Sequence, residues 1–243
     1  MSLREAIILA GGLGTRLRSA VPDLPKCMAP VNGKPFIAYV IDYYVAQGIG
    51  KFIFSLGYKH EVIEQYLHTQ YARAGHLPEL AFSYVVEAAP LGTGGAIQAA
   101  CQAATEENVL VLNGDTMFKV SPAQMGRFHA SHDAACTLAL KPMRDFDRYG
   151  VVSLREDGSV SDFKEKQFYR EGLINGGVYV VNTARLLAAG LPERFSFEKD
   201  YLEQSLNGPQ NKRAVYGIVQ DAYFIDIGIP ADYERAQQEL LPV

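Results

Sequence analysis

Two kinds of apolar pattern alternate through the first half of the chain. Short, mostly apolar runs predict strands at Ala6–Ala10, Lys51–Leu56, Leu80–Val86 and Val109–Leu112. Between them, apolar residues recur at helical spacing and predict helices at Pro35–Gln47, His60–Ala74 and Thr93–Ala104. This alternation is typical of βαβ units.

The predicted fold is α/β, a Rossmann-like three-layer α/β/α sandwich around a mixed, mainly parallel sheet. Ligands of such sheets bind beyond the carboxyl ends of the strands. The loops at Gly11, Glu87 and Asp115 each follow a predicted strand. We therefore expect all three to face one crevice.

The second half is richer in short strands. They are predicted at Cys136–Leu140, Val151–Leu154, Val160–Phe163, Gly177–Val181, Ala214–Val219 and Tyr223–Ile225. Helices are predicted at Glu198–Leu206 and Ala231–Leu240. With no repeat and no linker, residues 1–243 are expected to form a single domain, with a nucleotide-binding half (about 1–120) and a second half (about 121–243).

Composition narrows the class of partner. The 243 residues are 48% hydrophobic and 21% charged, which suits a soluble globular chain. A net charge of −4 gives no general attraction to nucleic acid or to an anionic membrane, so neither is expected as a partner. Three scattered cysteines and the lack of any signal or membrane-spanning run predict a cytoplasmic protein.

A glycine-rich loop follows the first predicted strand: Gly11-Gly12-Leu13-Gly14-Thr15-Arg16. It is not a dinucleotide fingerprint, because Leu17 stands where the third glycine belongs, and it is not a P-loop. A simple tight turn is one interpretation. The other is a loop whose amides hold phosphate, assisted by Arg16 and Lys26.

Several motifs together resemble the sugar-1-phosphate nucleotidyltransferases. They are Leu9–Leu17 with Pro25-Lys26, Pro90–Ala96, Asn113-Gly114-Asp115, Arg148–Val151, Phe163–Lys166, Asn175–Tyr179 and Asp226-Ile227-Gly228. They follow the family order across residues 6 to 228. The resemblance implies the nucleotide-diphospho-sugar transferase fold and attack of a sugar 1-phosphate on the α-phosphorus of a nucleoside triphosphate.

The resemblance also implies roles for charged residues. Arg16 and Lys26 are the implied catalytic residues, because such a transfer depends on cations that stabilise the charged transition state. Asp115 and Asp226 are the implied ligands of a Mg²⁺ cofactor. Taken alone, Asn113-Gly114-Asp115 is also a plain turn.

The nucleotide site implied by the family comprises Leu9, Gly11, Gly12, Gly14, Thr15, Glu87, Pro90, Gly92 and Thr93. Glu87 lies where the family contacts the base. Guanine presents two adjacent donors, which one carboxylate can accept, whereas uracil and thymine present one, so Glu87 favours GTP. A glutamate that points into water is the alternative interpretation. Gly92 and Gly94 are expected to let the backbone approach the nucleoside.

The implied sugar-phosphate site comprises Tyr149, Gly150, Glu165, Lys166, Asn175 and Gly176. Lys166 would bind the phosphate, and Glu165 would accept hydrogen bonds from sugar hydroxyls. A solvated strand end explains the Glu-Lys pair equally simply, and Tyr149 suits the core as well as a ligand.

Within the family, the motifs are most similar to the D-glycero-α-D-manno-heptose 1-phosphate guanylyltransferases. The implied product is GDP-heptose for capsule, surface-layer or lipopolysaccharide glycans, and a homodimer is compatible with the family. Mannose-1-phosphate guanylyltransferase and a uridylyltransferase for N-acetylated sugars are the alternative enzymes. A silent nucleotide-sugar sensor and a Rossmann dehydrogenase are the alternatives from other classes.

Overall fold

The computed structural model describes residues 2–12, 17, 21–71, 80–207 and 214–241. Its strands are β1 (Glu5–Ala10), β2 (Pro30–Val31), β3 (Lys34–Pro35), β4 (Lys51–Leu56), β5 (Ala81–Val86), β6 (Asn108–Asn113), β7 (Thr116–Phe118), β8 (Cys136–Phe146), β9 (Val151–Leu154), β10 (Val160–Lys164), β11 (Tyr169–Asn182), β12 (Val215–Val219) and β13 (Phe224–Asp226). Its α-helices are α1 (Phe36–Ala46), α2 (His60–Tyr71), α3 (Gly92–Cys101), α4 (Pro122–Ser131), α5 (Thr183–Leu187) and α6 (Pro230–Glu239).

Nine strands form one mixed sheet. The order is β10-β9-β11-β6-β1-β4-β5; β8 also pairs with β11, and β12 pairs with β8. The pairings make β10 and β11 run against the other seven strands. Strand β11 joins the two halves of the chain, since Val178 lies opposite Leu112 of β6. The predicted mixed, mainly parallel sheet is confirmed.

Helices cover both faces of this sheet. On β1, Ile8 belongs to the core cluster that includes residues of α1 and α2, whereas Ile7 belongs to the cluster that includes residues of α3. Both isoleucines are fully buried. An unbroken apolar strand is required where successive side chains enter two different cores. The predicted three layers are confirmed.

The second half departs from the prediction in several places. Strands β8 and β11 extend well beyond the predicted runs, and the helix predicted over Glu198–Leu206 is a π-helix at Phe197–Leu202 followed by a 3-10 helix at Glu203–Leu206. Helices α4 and α5 were not predicted, and in the first half neither were the short strands β2, β3 and β7. Beyond Tyr71, the end of the predicted helix His60–Ala74 lies outside the described residues.

Helix α4 escaped prediction because its apolar stripe is thin. Its buried residues are Pro122, Met125, Gly126 and His129, which follow helical spacing, but only Met125 among them is strongly apolar. The signal that was available is at its start, where the Ser121 hydroxyl accepts a hydrogen bond from the Gln124 amide and Pro122 occupies the first turn. Among the described residues, no helix is both long and apolar enough to cross a membrane.

Candidate active site

A cavity of about 730 Å³ opens at the carboxyl ends of the parallel strands. Its lining is Leu9, Ala10, Gly11, Gly12, Lys26, Cys27, Ser55, Gly57, Tyr58, Glu87, Ala88, Ala89, Pro90, Gly92, Thr93, Ala96, Asn113, Asp115 and Gly228. Strands β1, β4, β5 and β6 are neighbours in the sheet, so the residues that follow them meet at one edge. The expectation that Gly11, Glu87 and Asp115 face one crevice is confirmed.

Lys26 lies between two carboxylates. Its ammonium donates a hydrogen bond to the Asp115 carboxylate, and its Nζ is 3.6 Å from Asp226 Oδ1. Lys26 begins a short 3-10 helix, Lys26–Met28, and its side chain is only 15% exposed. The fold therefore holds this cation at the cavity wall instead of in solvent.

Pairing between β7 and β13 brings the two aspartates together. Asp115 directly precedes β7, and Asp226 at the end of β13 lies opposite Thr116. The Ile227 amide donates to the Asp115 carbonyl oxygen at 3.1 Å, and the Gly228 amide donates to Asp226 Oδ1 at 2.7 Å. Residues 111 positions apart in the sequence (226 − 115) thus become neighbours.

Burial raises the pKa of the Asp226 carboxyl, and the nearby Asp115 carboxylate raises it further, while Lys26 opposes both effects. Such a pair of carboxylates favours the approach of a cation. Two carboxylates are a usual protein contribution to a Mg²⁺ site, in which phosphate and water supply the other ligands. The described residues contain no group of three or more His, Cys, Asp or Glu side chains suited to hold a metal alone. The donor set therefore fits Mg²⁺ brought with a phosphate ligand.

Cys27 follows the lysine and is buried. Burial, reinforced by the Asp115 charge, raises the pKa of its thiol to about 12. At neutral pH the group is a protonated thiol that fills space in the cavity wall. Cys27 is therefore a packing residue.

Glu87 enters the cavity directly after β5. Its Oε1 accepts a hydrogen bond from the Ser55 hydroxyl at 3.1 Å, and its Oε2 accepts one from the Leu91 amide at 3.0 Å. A Cβ placed on Gly11 would lie 2.9 Å from the same Oε1. The Glu87 carboxylate is therefore held by neighbours on three sides and does not point freely into water.

The glycine-rich start of α3 has a packing role that the sequence interpretation missed. A Cβ on Gly94 would lie 2.1 Å from the Phe195 ring, and one on Gly95 would lie 2.2 Å from the Glu193 carbonyl oxygen. The Thr93 hydroxyl accepts a hydrogen bond from the Phe197 amide at 3.0 Å. The missing side chains make room for the segment 193–197, whereas Gly92 and Thr93 also line the cavity.

None of the six predicted sugar-phosphate residues lines this cavity. Glu165 and Lys166 are exposed in the turn between β10 and β11. The Asn175 side chain forms two hydrogen bonds within the protein: its Nδ2 donates to the Tyr179 hydroxyl at 2.9 Å and to Glu198 Oε1 at 3.2 Å. The site predicted as one unit is thus distributed between an exposed turn and a strand interior.

Gly150, Gly176 and Tyr149, three residues of the predicted sugar site, pack closely against other parts of the protein. A Cβ on Gly150 would lie 2.4 Å from the Lys164 carbonyl oxygen, and one on Gly176 would lie 2.3 Å from the Phe118 ring. The Tyr149 ring packs edge-on against Phe224, and burial raises the pKa of its hydroxyl to about 12. Packing explains these three positions without a ligand.

Sequence reasoning missed Ser55 and Tyr58 in the cavity wall. The available signal was Ser55 itself, a single hydroxyl inside the apolar run of β4. Of the predicted nucleotide and catalytic residues, Gly14, Thr15 and Arg16 lie outside the described residues.

Comparisons with known proteins agree with this geometry. The family described as Nucleotidyl transferase matches residues 5–242. The chain is 51% identical to a D-glycero-alpha-D-manno-heptose 1-phosphate guanylyltransferase of Aneurinibacillus thermoaerophilus, over 97% of this chain and 98% of that protein. It is 41% identical to the enzyme of the same name from Campylobacter jejuni, over 94% and 96% of the two chains.

A solved structure matches as well. The crystal structure of HddC from Yersinia pseudotuberculosis superposes with a TM-score of 0.83 at 34% identity, covering 98% of this chain and 99% of that one. The family match and the two relatives each cover nearly the whole chain. The resemblance inferred from the motifs is confirmed, and the chain belongs to the nucleotidyl transferase family.

Proposed function

We propose that this protein transfers a guanylyl group from GTP to D-glycero-α-D-manno-heptose 1-phosphate, forming GDP-heptose and releasing pyrophosphate. The observation that carries the proposal is one cavity lined by Lys26, Asp115 and Glu87 near the ends of adjacent strands. The Asp226 carboxylate lies beside this wall, with its Oδ1 3.6 Å from Lys26 Nζ. The two relatives at 51% and 41% identity are both named heptose 1-phosphate guanylyltransferases, which supports the choice of base and sugar. A structure of HddC complexed with GMP-PN supports the choice of a guanine nucleotide.

The reaction brings two anions together, so it needs positioned positive charge. An oxygen of the sugar phosphate attacks the α-phosphorus, and the bond to the pyrophosphate oxygen breaks. Lys26 stabilises charge at the α-phosphate as a point cation, and Arg16 holds the departing pyrophosphate through its planar guanidinium. Both groups act by position and charge, without a covalent intermediate.

Asp115 and Asp226 are the side chains that would hold Mg²⁺. When bound, the ion neutralises charge on the phosphates as they react. The raised pKa of the Asp226 carboxyl follows from burial and from Asp115, and a cation at this pair would favour the ionised form. Lys26 lies beside the same two carboxylates and would contact the phosphate.

Glu87 is the proposed base selector. An ionised carboxylate has about four acceptor positions, of which the Ser55 hydroxyl and the Leu91 amide occupy two, one on each oxygen. One position on each oxygen remains for the adjacent N1–H and N2–H donors of guanine. Uracil and thymine offer a single donor there, so one position would lose its partner.

On the sugar side, Lys166 would bind the phosphate. Glu165 would accept hydrogen bonds from the sugar hydroxyls, and Asn175 would add further hydrogen bonds to them. The exposed turn that carries Glu165 and Lys166 is open to an incoming sugar phosphate. A GDP-heptose product would supply a bacterial surface polysaccharide.

The test is pyrophosphate release with Mg²⁺, in which GTP, UTP, dTTP, ATP and CTP are crossed with the 1-phosphates of manno-heptose, mannose, glucose and N-acetylglucosamine. Turnover confined to GTP and the heptose phosphate is the expected result. Preference for mannose 1-phosphate would change the sugar only, preference for UTP or dTTP would overturn the role of Glu87, and silence with every pair would favour a binding protein.

A matched pair of variants assigns the turnover to this site. Asp115→Asn removes a carboxylate beside Lys26 and is expected to abolish most of the activity. Asp221→Asn removes an exposed carboxylate that pairs with Lys141 and is expected to leave the activity unchanged.

A further inference from the structure

Ser55 is a polar residue in an apolar wall. Within β4, the residues Phe52, Ile53, Phe54 and Leu56 are all fully buried, and so is Ser55. A hydroxyl buried in such surroundings is costly unless it finds a hydrogen-bond partner. The partner is Oε1 of Glu87, 3.1 Å away.

The position of Ser55 explains how its hydroxyl reaches Glu87. Ser55 lies opposite Leu9 of β1 and Val85 of β5 in the sheet, one residue before the strand ends. The Glu87 amide donates to the Leu56 carbonyl oxygen at 2.8 Å, which extends the ladder past β5. Ser55 and Glu87 therefore stand side by side at the same edge, and both line the cavity.

Among the described residues, two groups of different kinds hold the Glu87 carboxylate. The Leu91 amide holds Oε2 and belongs to the backbone just before α3, so no side-chain substitution removes it. The Ser55 hydroxyl holds Oε1 and can be removed by one substitution. With only the Leu91 anchor, the carboxylate can pivot about Oε2.

We propose that Ser55 is a positioning residue for base selection, which fixes the plane of the Glu87 carboxylate so that both of its oxygens face the two donors of guanine. The inference rests on the proposed use of GTP. Two parallel hydrogen bonds are sensitive to the orientation of the acceptor plane, whereas a single bond tolerates rotation. Ser55 thus acts through Glu87 and not on the nucleotide itself.

Inosine triphosphate distinguishes a contact of two hydrogen bonds from a contact of one. Its base, hypoxanthine, keeps the N1–H donor of guanine and lacks the N2 amino group. In the protein with Ser55, GTP is expected to exceed ITP in kcat/KM by about tenfold, the usual effect of one hydrogen bond to a charged group. In Ser55→Ala the two-point contact is lost, and kcat/KM for GTP falls while that for ITP changes little. The GTP/ITP ratio is expected to approach one.

Ser83→Ala is the matched control, because Ser83 lies on the neighbouring strand β5 opposite Ile53 and does not line the cavity. The control is expected to keep the GTP/ITP ratio of the parent. Ser55→Cys is the second variant: it keeps nearly the volume of serine and carries a weak donor, so its ratio is also expected to fall. Unfolding midpoints of all variants are measured alongside.

The outcomes separate the two proposals. If the parent protein does not prefer GTP to UTP and dTTP, the proposed function fails. If the parent prefers GTP but Ser55→Ala and Ser55→Cys lower turnover of GTP and ITP equally, or change neither, the role of Ser55 in base selection is overturned. A fall in the GTP/ITP ratio in either Ser55 variant, with Ser83→Ala unchanged, supports it.

Discussion

The two regions proposed to bind substrate differ in how their residues are held. Around the nucleotide cavity, Gly11, Gly57, Glu87 and Asn113 end or follow four neighbouring parallel strands, and their backbones are fixed by the sheet. In the sugar region, Glu165 and Lys166 occupy an exposed turn between two strands of the opposite half. The first region is formed by the fold itself, whereas the charged part of the second consists of side chains at its surface.

This difference predicts different consequences of substitution. Side chains at parallel strand ends are about 4.8 Å apart from strand to strand and are fixed by the hydrogen-bonded ladders, so they can present charge in a fixed geometry. An exposed turn contributes binding energy that solvent weakens. Changes at Lys26 and Asp115 should therefore alter the chemical step, and changes at the turn should alter the affinity for the sugar phosphate.

The largest effect is expected at Lys26. Lys26→Gln removes the cation held between Asp115 and Asp226, and we expect kcat for pyrophosphate release to fall by about 10²- to 10³-fold. Lys34→Gln is the matched control, since Lys34 pairs with Asp42 outside the cavity lining. Retention of more than a tenth of the parent rate by Lys26→Gln would show that the cavity does not carry the chemistry.

A buried histidine, His129, links the two halves of the chain through hydrogen bonds. Its Nδ1 lies 2.9 Å from the Thr137 hydroxyl on β8, and its Nε2 lies 3.0 Å from Asn108 Oδ1 on β6, so it joins strands of both halves. Burial, assisted by the Arg185 charge, lowers the pKa of the imidazole from 6.5 to about 4. The folded protein therefore holds His129 neutral at pH values where the unfolded chain protonates it.

Acid destabilises the folded protein through His129. Between pH 6.5 and about 4 the unfolded state binds more protons at this residue, so the free energy of unfolding falls as the pH falls. The expected loss is about 2 kcal/mol at pH 5 relative to pH 7.5. Urea denaturation of the parent and of His129→Gln at both pH values isolates the contribution. Equal pH dependence in the two proteins would contradict it.

The difference between the regions also explains what the sequence could predict. Strands β1, β4 and β6 were identified because residues such as Ile7 and Ile8 enter two cores and must both be apolar. The crevice followed from the rule that ligands bind beyond the carboxyl ends of parallel strands. Local pattern was sufficient for these longer strands, which are buried on both faces.

Other features depend on contacts between distant parts of the chain. The proximity of Asp115 and Asp226 arises from pairing of β7 with β13, and β7 is only three residues long. The packing of Gly94 against Phe195 joins segments about a hundred positions apart. No local pattern encodes such pairings, and only the family resemblance connected the two aspartates. The roles of the site residues themselves remain predictions.

Gly94 offers a smaller effect at the contact between the halves. Gly94→Ala would place a Cβ 2.1 Å from the Phe195 ring, and overpacking of this kind typically costs about 1–3 kcal/mol, offset in part by the helix preference of alanine. Gly12→Ala is the control, because no atom of the described residues lies within 4 Å of the added Cβ. The two are compared by urea denaturation, and equal midpoints would mean that the 193–197 segment adapts without cost.

The smallest expected effect, at Lys166, decides whether the two regions are separate. Lys166→Met removes an exposed cation from the turn between β10 and β11, and we expect KM for the sugar 1-phosphate to rise about tenfold while KM for GTP stays unchanged. Lys164→Met is the control, since Lys164 is also exposed and lies only two residues away at the end of β10.

Glu87→Gln should have the opposite effect to Lys166→Met on the two KM values. It should raise KM for GTP and leave KM for the sugar phosphate unchanged, because the amide presents one acceptor oxygen in place of two. Initial-rate kinetics with each substrate varied in turn measures both constants. If Lys166→Met instead lowered kcat and left both KM values unchanged, Lys166 would act on the charge of the transition state. The turn would then belong to the catalytic cavity, and it would have to move toward Lys26 when the substrates bind.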